Sequence, residues 1–195
     1  MFELRPEPDG SAVEHSPRDT PVLIVTGPPG AGKTTVAGIL AARAARAVHL
    51  EADAFFRFIR SGSVEPWRPE SRAQNEIVMR IVAHAAADYA AAGYFTIVDG
   101  IVIPDWFLQP LCDALHGAGH SVAYAVLRAP LSTCTARVQS REGIPLADAN
   151  VIERIWQSFA DLGKLERNAL EVGDKTPDGA ADLLARQLAE GVLAV

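Results

Sequence analysis

Pro21-Val22-Leu23-Ile24-Val25-Thr26 runs directly into Gly27-Pro28-Pro29-Gly30-Ala31-Gly32-Lys33-Thr34-Thr35, and this stretch decides the fold. The opening residues form a short continuous apolar run, the pattern of a strand buried on both faces. Gly27-x-x-x-x-Gly32-Lys33-Thr34 satisfies G-x-x-x-x-G-K-[ST], and the Ala/Leu-rich segment to about Arg46 supplies the helix that this motif requires. Each position has a chemical reason. Gly27, Gly30 and Gly32 let the backbone turn so that its N–H groups, that of Ala31 included, approach phosphate oxygens. The helix starting near Lys33 turns its positive dipole end toward the same anion. Lys33 brings a mobile cation to β- and γ-phosphates, the Thr34 hydroxyl is suited to ligating Mg²⁺, and Thr35 is placed to reach an α-phosphate. ATP and Mg²⁺ are therefore the expected ligands.

Outward from this loop, strand and helix signals alternate. Ala47–Glu51 reads as a second strand closing on Asp53, and residues 54–70 are less regular. An Ala-rich helix follows over about 71–92, ended by Gly93. Then come a strand over 94–98, a helix over 104–116, a strand over 122–127 and a helix over 131–140. Arg141-Glu142-Gly143-Ile144-Pro145 breaks that helix; a further helix is expected over 147–162, a short strand over 169–172 and a last helix over 178–193. Buried-type strands separated by helices predict a three-layer α/β domain, a five-stranded parallel sheet with helices on both faces. Residues 1–20 are polar and proline-rich and read as a tail, leaving 21–195 as one domain.

Composition narrows the class further. Hydrophobic residues make up 49% of the 195 and charged residues 22%, the balance of a globular domain that needs neither disulfides nor a structural metal. Asp and Glu number 24 against 18 Lys and Arg, a net charge of −6. That balance argues against a nucleic-acid or anionic-membrane binder while permitting a local basic cleft. Cys112 and Cys134 have no CxxC or zinc-type spacing and read as reduced thiols. No apolar run reaches the ~18 residues of a membrane helix, and the acidic, proline-containing start is no secretory signal; the expected location is the cytoplasm.

Three further groups carry candidate chemistry. Glu51-Ala52-Asp53 lies where the second strand ends, and residues i and i+2 of a strand share a face, so both carboxylates are expected to look into the cleft. Phosphoryl transfer to an alcohol needs a group that takes the hydroxyl proton; Asp53 is the choice, with Glu51 holding a Mg²⁺ water or the substrate. The alternative for Asp53 is an N-cap of the next helix. Phe95-Thr96-Ile97-Val98-Asp99 is an apolar strand ending in an acid, so Asp99 is a candidate for holding Mg²⁺ through water or contacting substrate, against a plain turn role. Arg137 and Arg141 are four apart, hence on one helix face, just before the break at 143–145. They are candidates to close over ATP and neutralise the transferring phosphate, against a solvated helix surface.

The loop fixes a nucleotide but not its fate. Ras-type GTPases also need D-x-x-G and N-K-x-D, and neither string occurs. The G-P-P-G-x-G-K-T wording resembles AAA-type ATPases, which usually have a longer domain and an added helical lid. The compact kinases remain. Strand, phosphate loop, helix, strand closing on Asp, helices, strand ending in Asp and Arg-x-x-x-Arg together resemble the nucleoside-monophosphate-kinase-like group of P-loop kinases over about 21–192. Within it the chain is most similar to small phosphotransferases such as chloramphenicol phosphotransferase and the tunicamycin-resistance protein, and more loosely to shikimate and gluconate kinases. The resemblance implies sheet order 2-3-1-4-5, Asp53 as catalytic base, Lys33 and Thr34 as ATP and Mg²⁺ contacts, and Arg137 or Arg141 as lid arginine. It also implies that Gly173-Asp174-Lys175-Thr176-Pro177, Lys175 in particular, lies near adenine. Glu51 departs from the pattern, standing where similar shikimate kinases carry Asp.

Phe55, Phe56, Phe58, Arg60, Trp67, Arg72 and Asn75 follow Asp53, in the region that builds the acceptor pocket of the resembling kinases. Aromatic walls with a few polar groups suit a small molecule with a ring or apolar body and a hydroxyl, although phenylalanines at helical spacing also serve as core. Trp106 and Phe107 offer a further wall. The expectation is an ATP- and Mg²⁺-dependent kinase acting on a small-molecule hydroxyl, of an antibiotic or nucleoside-like compound among others. The alternatives are a nucleotide or sugar-nucleotide kinase of the zeta-toxin type and a regulatory module that binds ATP without transferring it.

Overall fold

The computed structural model describes residues 20–140 and 148–195. Its centre is β1 (Val22–Thr26), five apolar or β-branched residues, all buried. On one side β1 pairs in parallel with β3 (Phe95–Asp99), which pairs with β2 (Ala47–Glu51); on the other it pairs with β4 (Val122–Arg128), which pairs with β5 (Ala169–Glu171). The order is β2-β3-β1-β4-β5, all parallel, as the resemblance implied. Helices cover both faces. Leu23, Val25, Ile97, Ala125 and Leu127 pack on α1 (Lys33–Arg43) and α7 (Pro177–Ala189). Val22, Ile24, Val98 and Val126 pack on α3 (Arg72–Ala91) and α4 (Gln109–Gly117), with Phe159 and Leu162 closing that core.

Four local departures from expectation have visible causes. The irregular segment opens with a short helix, α2 (Ala52–Arg57), whose Phe55 and Phe56 lean on the core. The expected helix over 104–116 begins as a π-turn at Pro104–Leu108, where the Trp106, Phe107 and Leu108 amides converge on the Ile103 carbonyl. After α5 (Leu131–Gln139), α6 spans only Ala149–Gln157. Asp148 caps its start by accepting from the Asn150 amide. Beyond its end, Asp161 and Glu166 carboxylates take the Gly163 and Leu162 amides, an alternative to helix for that backbone. The last helix stops at Ala189, two residues before Gly191 at φ +69°.

Candidate active site

The phosphate loop leaves the end of β1 and closes at Gly32, immediately before α1. Two of its glycines are required by packing. Gly27 has φ +137° and an added Cβ would strike the Leu127 carbonyl oxygen; Gly30 has φ +81° and a Cβ there would strike the Cys134 carbonyl oxygen. The loop is thus pressed against the end of β4 and the first turn of α5, which fixes where its amides point. Lys33 folds over the loop, its Nζ donating to the Gly27 and Pro28 carbonyls at 3.0 Å each. Arg137, in the last turn of α5, donates to the Gly30 carbonyl at 3.3 Å. Arg141 and the break at 143–145 lie outside the described residues.

On the adjoining strands, register brings acids together. Glu51 of β2 and Val25 of β1 both lie opposite Asp99 of β3, so these three residues form a row at the carboxyl edge of the sheet. Asp99 is buried. Its Oδ1 accepts from the Thr34 hydroxyl at 3.3 Å and its Oδ2 is bonded to His49 Nε2 at 2.6 Å. Sequence reasoning missed His49; the signal was present, since His49 lies two residues before Glu51 and shares its face of β2. Asp53 lies beyond the strand. β2 ends at Glu51, and Asp53 occupies the second position of α2, so the strand pleat does not relate the two carboxylates. Asp53 nonetheless heads the helix leaving the carboxyl end of β2, exposed to solvent. It does not cap that helix: Glu51 stands at the N-cap, and no side chain caps it.

Thr34 and Asp99 offer a hydroxyl and a carboxylate 3.3 Å apart beside the phosphate loop. Hard oxygen donors in that small number fit Mg²⁺, which takes most of its shell from water and substrate phosphates. Among the described residues no group of three or more His, Cys, Asp or Glu could hold a metal ion by itself.

A cleft of about 170 Å³ lies beside the loop, lined by Gly30, Gly32, Thr35, Arg137, Lys175 and Pro177 among others. It brings the segment after β5 against the phosphate loop. Thr176 holds that segment by capping α7, its Oγ1 accepting from the Gly179 amide at 3.1 Å.

The stretch from Val64 to Trp67 is pinned by side-chain bonds. Asn75 is buried, and its Nδ2 donates to the Pro66 carbonyl at 2.8 Å and to Ser71 Oγ at 2.9 Å. Gln74 pairs with both backbone groups of Val64, and Arg154 of α6 donates to the Trp67 carbonyl at 3.2 Å. These bonds hold half-buried Trp67 over the start of α3. Arg72 faces solvent, bonded to Glu76 at 2.9 Å. Below the sheet edge, the Thr26 hydroxyl accepts from the Val102 amide at 2.8 Å and the Tyr124 hydroxyl donates to the Val102 carbonyl at 2.7 Å, fixing the turn that leads to Trp106.

The model of the AAA domain family, AAA_33, matches residues 22–162. The chain belongs to that family. Among curated sequences, none matches the chain. Solved structures similar to it include a sugar kinase from a Janibacter species (22% identity, TM-score 0.63, covering 89% of this chain and 98% of that one). The tunicamycin resistance protein of Deinococcus radiodurans is similar at 20% identity and TM-score 0.67, covering 87% and 95%. The APS kinase of Mycobacterium tuberculosis, solved with AMPPNP and APS, is similar at 18% identity and TM-score 0.68, covering 88% and 98%. At these identities the likeness establishes the fold, that of the compact P-loop kinases.

Proposed function

We propose that the protein transfers the γ-phosphoryl group of ATP to a hydroxyl of a small molecule. The reading is carried by Lys33 on the phosphate loop and the Thr34–Asp99 pair beside it, with Asp53 in the first turn of the helix that follows β2. ATP phosphates would lie along the amides of 27–33, with Lys33 leaving the Gly27 and Pro28 carbonyls for phosphate oxygens. The base would fit the cleft between the loop, Arg137 and Lys175. Asp53 accepts the acceptor's hydroxyl proton as its oxygen bonds to the γ-phosphorus and the bond to the β–γ bridging oxygen breaks, releasing ADP. Thr34 and Asp99 would hold Mg²⁺, with Glu51 beside them; when bound, the ion offsets phosphate charge. Arg137 steadies the spreading charge on the transferred group, and Arg141 is proposed for the same task. Phe55, Phe56 and Trp67 would wall the acceptor, Asn75 would act by holding the Trp67 loop, and Arg72 would reach an anionic or polar rim of the same molecule. Ring-bearing alcohols such as antibiotics and nucleoside-like compounds suit these walls.

The family's AAA description supports a second reading, an ATP-binding module without an acceptor. One experiment separates the two: incubation with ATP and Mg²⁺ across hydroxylated metabolites and antibiotics, read by mass for the gain of one phosphoryl group, with Lys33→Ala as control. A product made by wild type and lost in a folded Lys33→Ala protein supports transfer. ATP binding with no product from any acceptor supports the second reading, and wild-type-like turnover by Lys33→Ala overturns the loop assignment.

A further inference from the structure

His49 and Asp99 lie on neighbouring strands, 50 residues apart in sequence, and the β2–β3 register sets Asp99 opposite Glu51, with His49 two residues back on the same face. The bond between His49 Nε2 and Asp99 Oδ2 is 2.6 Å, and only 15% of the His49 side chain and 6% of the Asp99 side chain meets solvent. An ionised carboxylate only accepts, so Nε2 is the donor. Its Oδ2 thus engaged, Asp99 has one oxygen left, Oδ1, and that oxygen faces the Thr34 hydroxyl. The carboxylate is clamped from two sides, by an imidazole on one strand and a hydroxyl on α1. Without the imidazole, the carboxylate of the last residue of β3 could rotate about its χ2, a soft torsion, and Oδ1 would no longer be held toward the loop.

We infer that His49 is a positioning residue for the metal site: it fixes the Asp99 carboxylate so that Oδ1 and the Thr34 hydroxyl face the same ion beside the nucleotide phosphates. The inference rests on the phosphate-loop reading and adds to it a residue that touches neither metal nor nucleotide. Outer partners that orient a ligating group typically alter metal affinity by ~10–100-fold when removed. Reach separates this role from general polarity. The Gln amide nitrogen can stand where Nε2 stands, whereas Asn is one methylene shorter and falls short of Asp99.

The test measures ADP binding by calorimetry to wild type, His49→Asn and His49→Gln, once with EDTA and once with Mn²⁺, whose electron paramagnetic resonance also reports the bound ion. Thermal unfolding of each protein serves as the check on folding. The expected result is metal-free ADP affinity within about twofold of wild type in both variants. Mn²⁺·ADP affinity should fall by ~10-fold or more in His49→Asn and recover substantially in His49→Gln. Equal Mn²⁺·ADP affinity in all three proteins overturns the inference. So does a parallel loss with and without metal, which would make His49 a structural residue of β2, and so does an equal loss in Asn and Gln. Wild type binding no ADP under either condition overturns the nucleotide-site reading itself, and the inference with it; that outcome differs from all the others because it does not depend on the variants.

Discussion

Among the described residues, Asp53 has no side-chain hydrogen bond or ion pair. It stands at the second position of α2, exposed, while Glu51 holds the cap position without capping. An acid in a first helical turn contributes only ~0.3–1 kcal/mol through the helix dipole. Asp53→Asn is therefore expected to cost less than about 1 kcal/mol in urea unfolding, while lowering phosphoryl transfer by ~10²–10⁴-fold with ATP affinity retained. Normal turnover in that variant would move the base elsewhere, with Glu51 the nearest acid in sequence. Arg137 differs, because its guanidinium already touches the loop through the Gly30 carbonyl. Lysine keeps the charge but loses the planar fork that bonds two phosphate oxygens at once. For Arg137→Lys, kcat should fall more than acceptor KM rises, and background ATP hydrolysis measured alongside should change in the same direction as kcat. Equal values in both assays would return Arg137 to a packing role.

At the scale of elements, the phosphate loop and β1 were legible in the sequence because a continuous apolar run and a glycine-spaced motif are both local patterns. The register that sets Asp99 opposite Glu51 and brings His49 to its Oδ2 was not, since it depends on the pairing of two strands. α2 was also hidden: six residues are too few to show a helical period, and its two phenylalanines, with Phe58 just after them, read equally as wall or core. The segment around Trp67 was read as pocket lining, yet its conformation is imposed from α3. Asn75 supplies two of the bonds that hold it, from a fully buried position. Asn75→Ala removes both and leaves Ser71 Oγ to hold the Pro66 carbonyl alone. The expected cost is roughly 1–3 kcal/mol, that of a lost buried polar contact. If the Trp67 loop walls the acceptor, acceptor KM should rise with little change in ATP affinity. Unchanged stability would show the loop to be held by Gln74 and Arg154 without Asn75.

Across the whole molecule, two packed faces meet at a sheet whose side chains are nearly all apolar, and the ionisable groups trapped there govern behaviour at high pH. Cys112 of α4 is buried in the α3/α4 face, and burial pushes its thiol from 9.0 up to about 11. Burial also raises the Cys134 thiol, an effect that nearby Lys33 and Arg137 partly oppose. Tyr124, fully buried in β4 with its hydroxyl on the Val102 carbonyl, is raised well above the ordinary phenol by the same desolvation. A raised pKa means that the folded state holds its proton more tightly than the unfolded chain. The stability these groups confer in their neutral forms is then fully present below the unfolded thiol value and is lost as pH climbs. For Cys112 the window runs from about pH 9 to about pH 11, with Tyr124 adding to the decline above the ordinary phenol value of 10. The thermal midpoint should accordingly be level from pH 7 to 8.5 and fall across that window. Cys112→Ala should flatten the first part of the fall without removing the part due to Tyr124. At pH 8 neither thiol should react with a disulfide reagent until urea unfolds the chain, whereupon two should react. Rapid native labelling at pH 8, or a midpoint that rises between pH 9 and 11, would place Cys112 in contact with water and undo this account of the α3/α4 face.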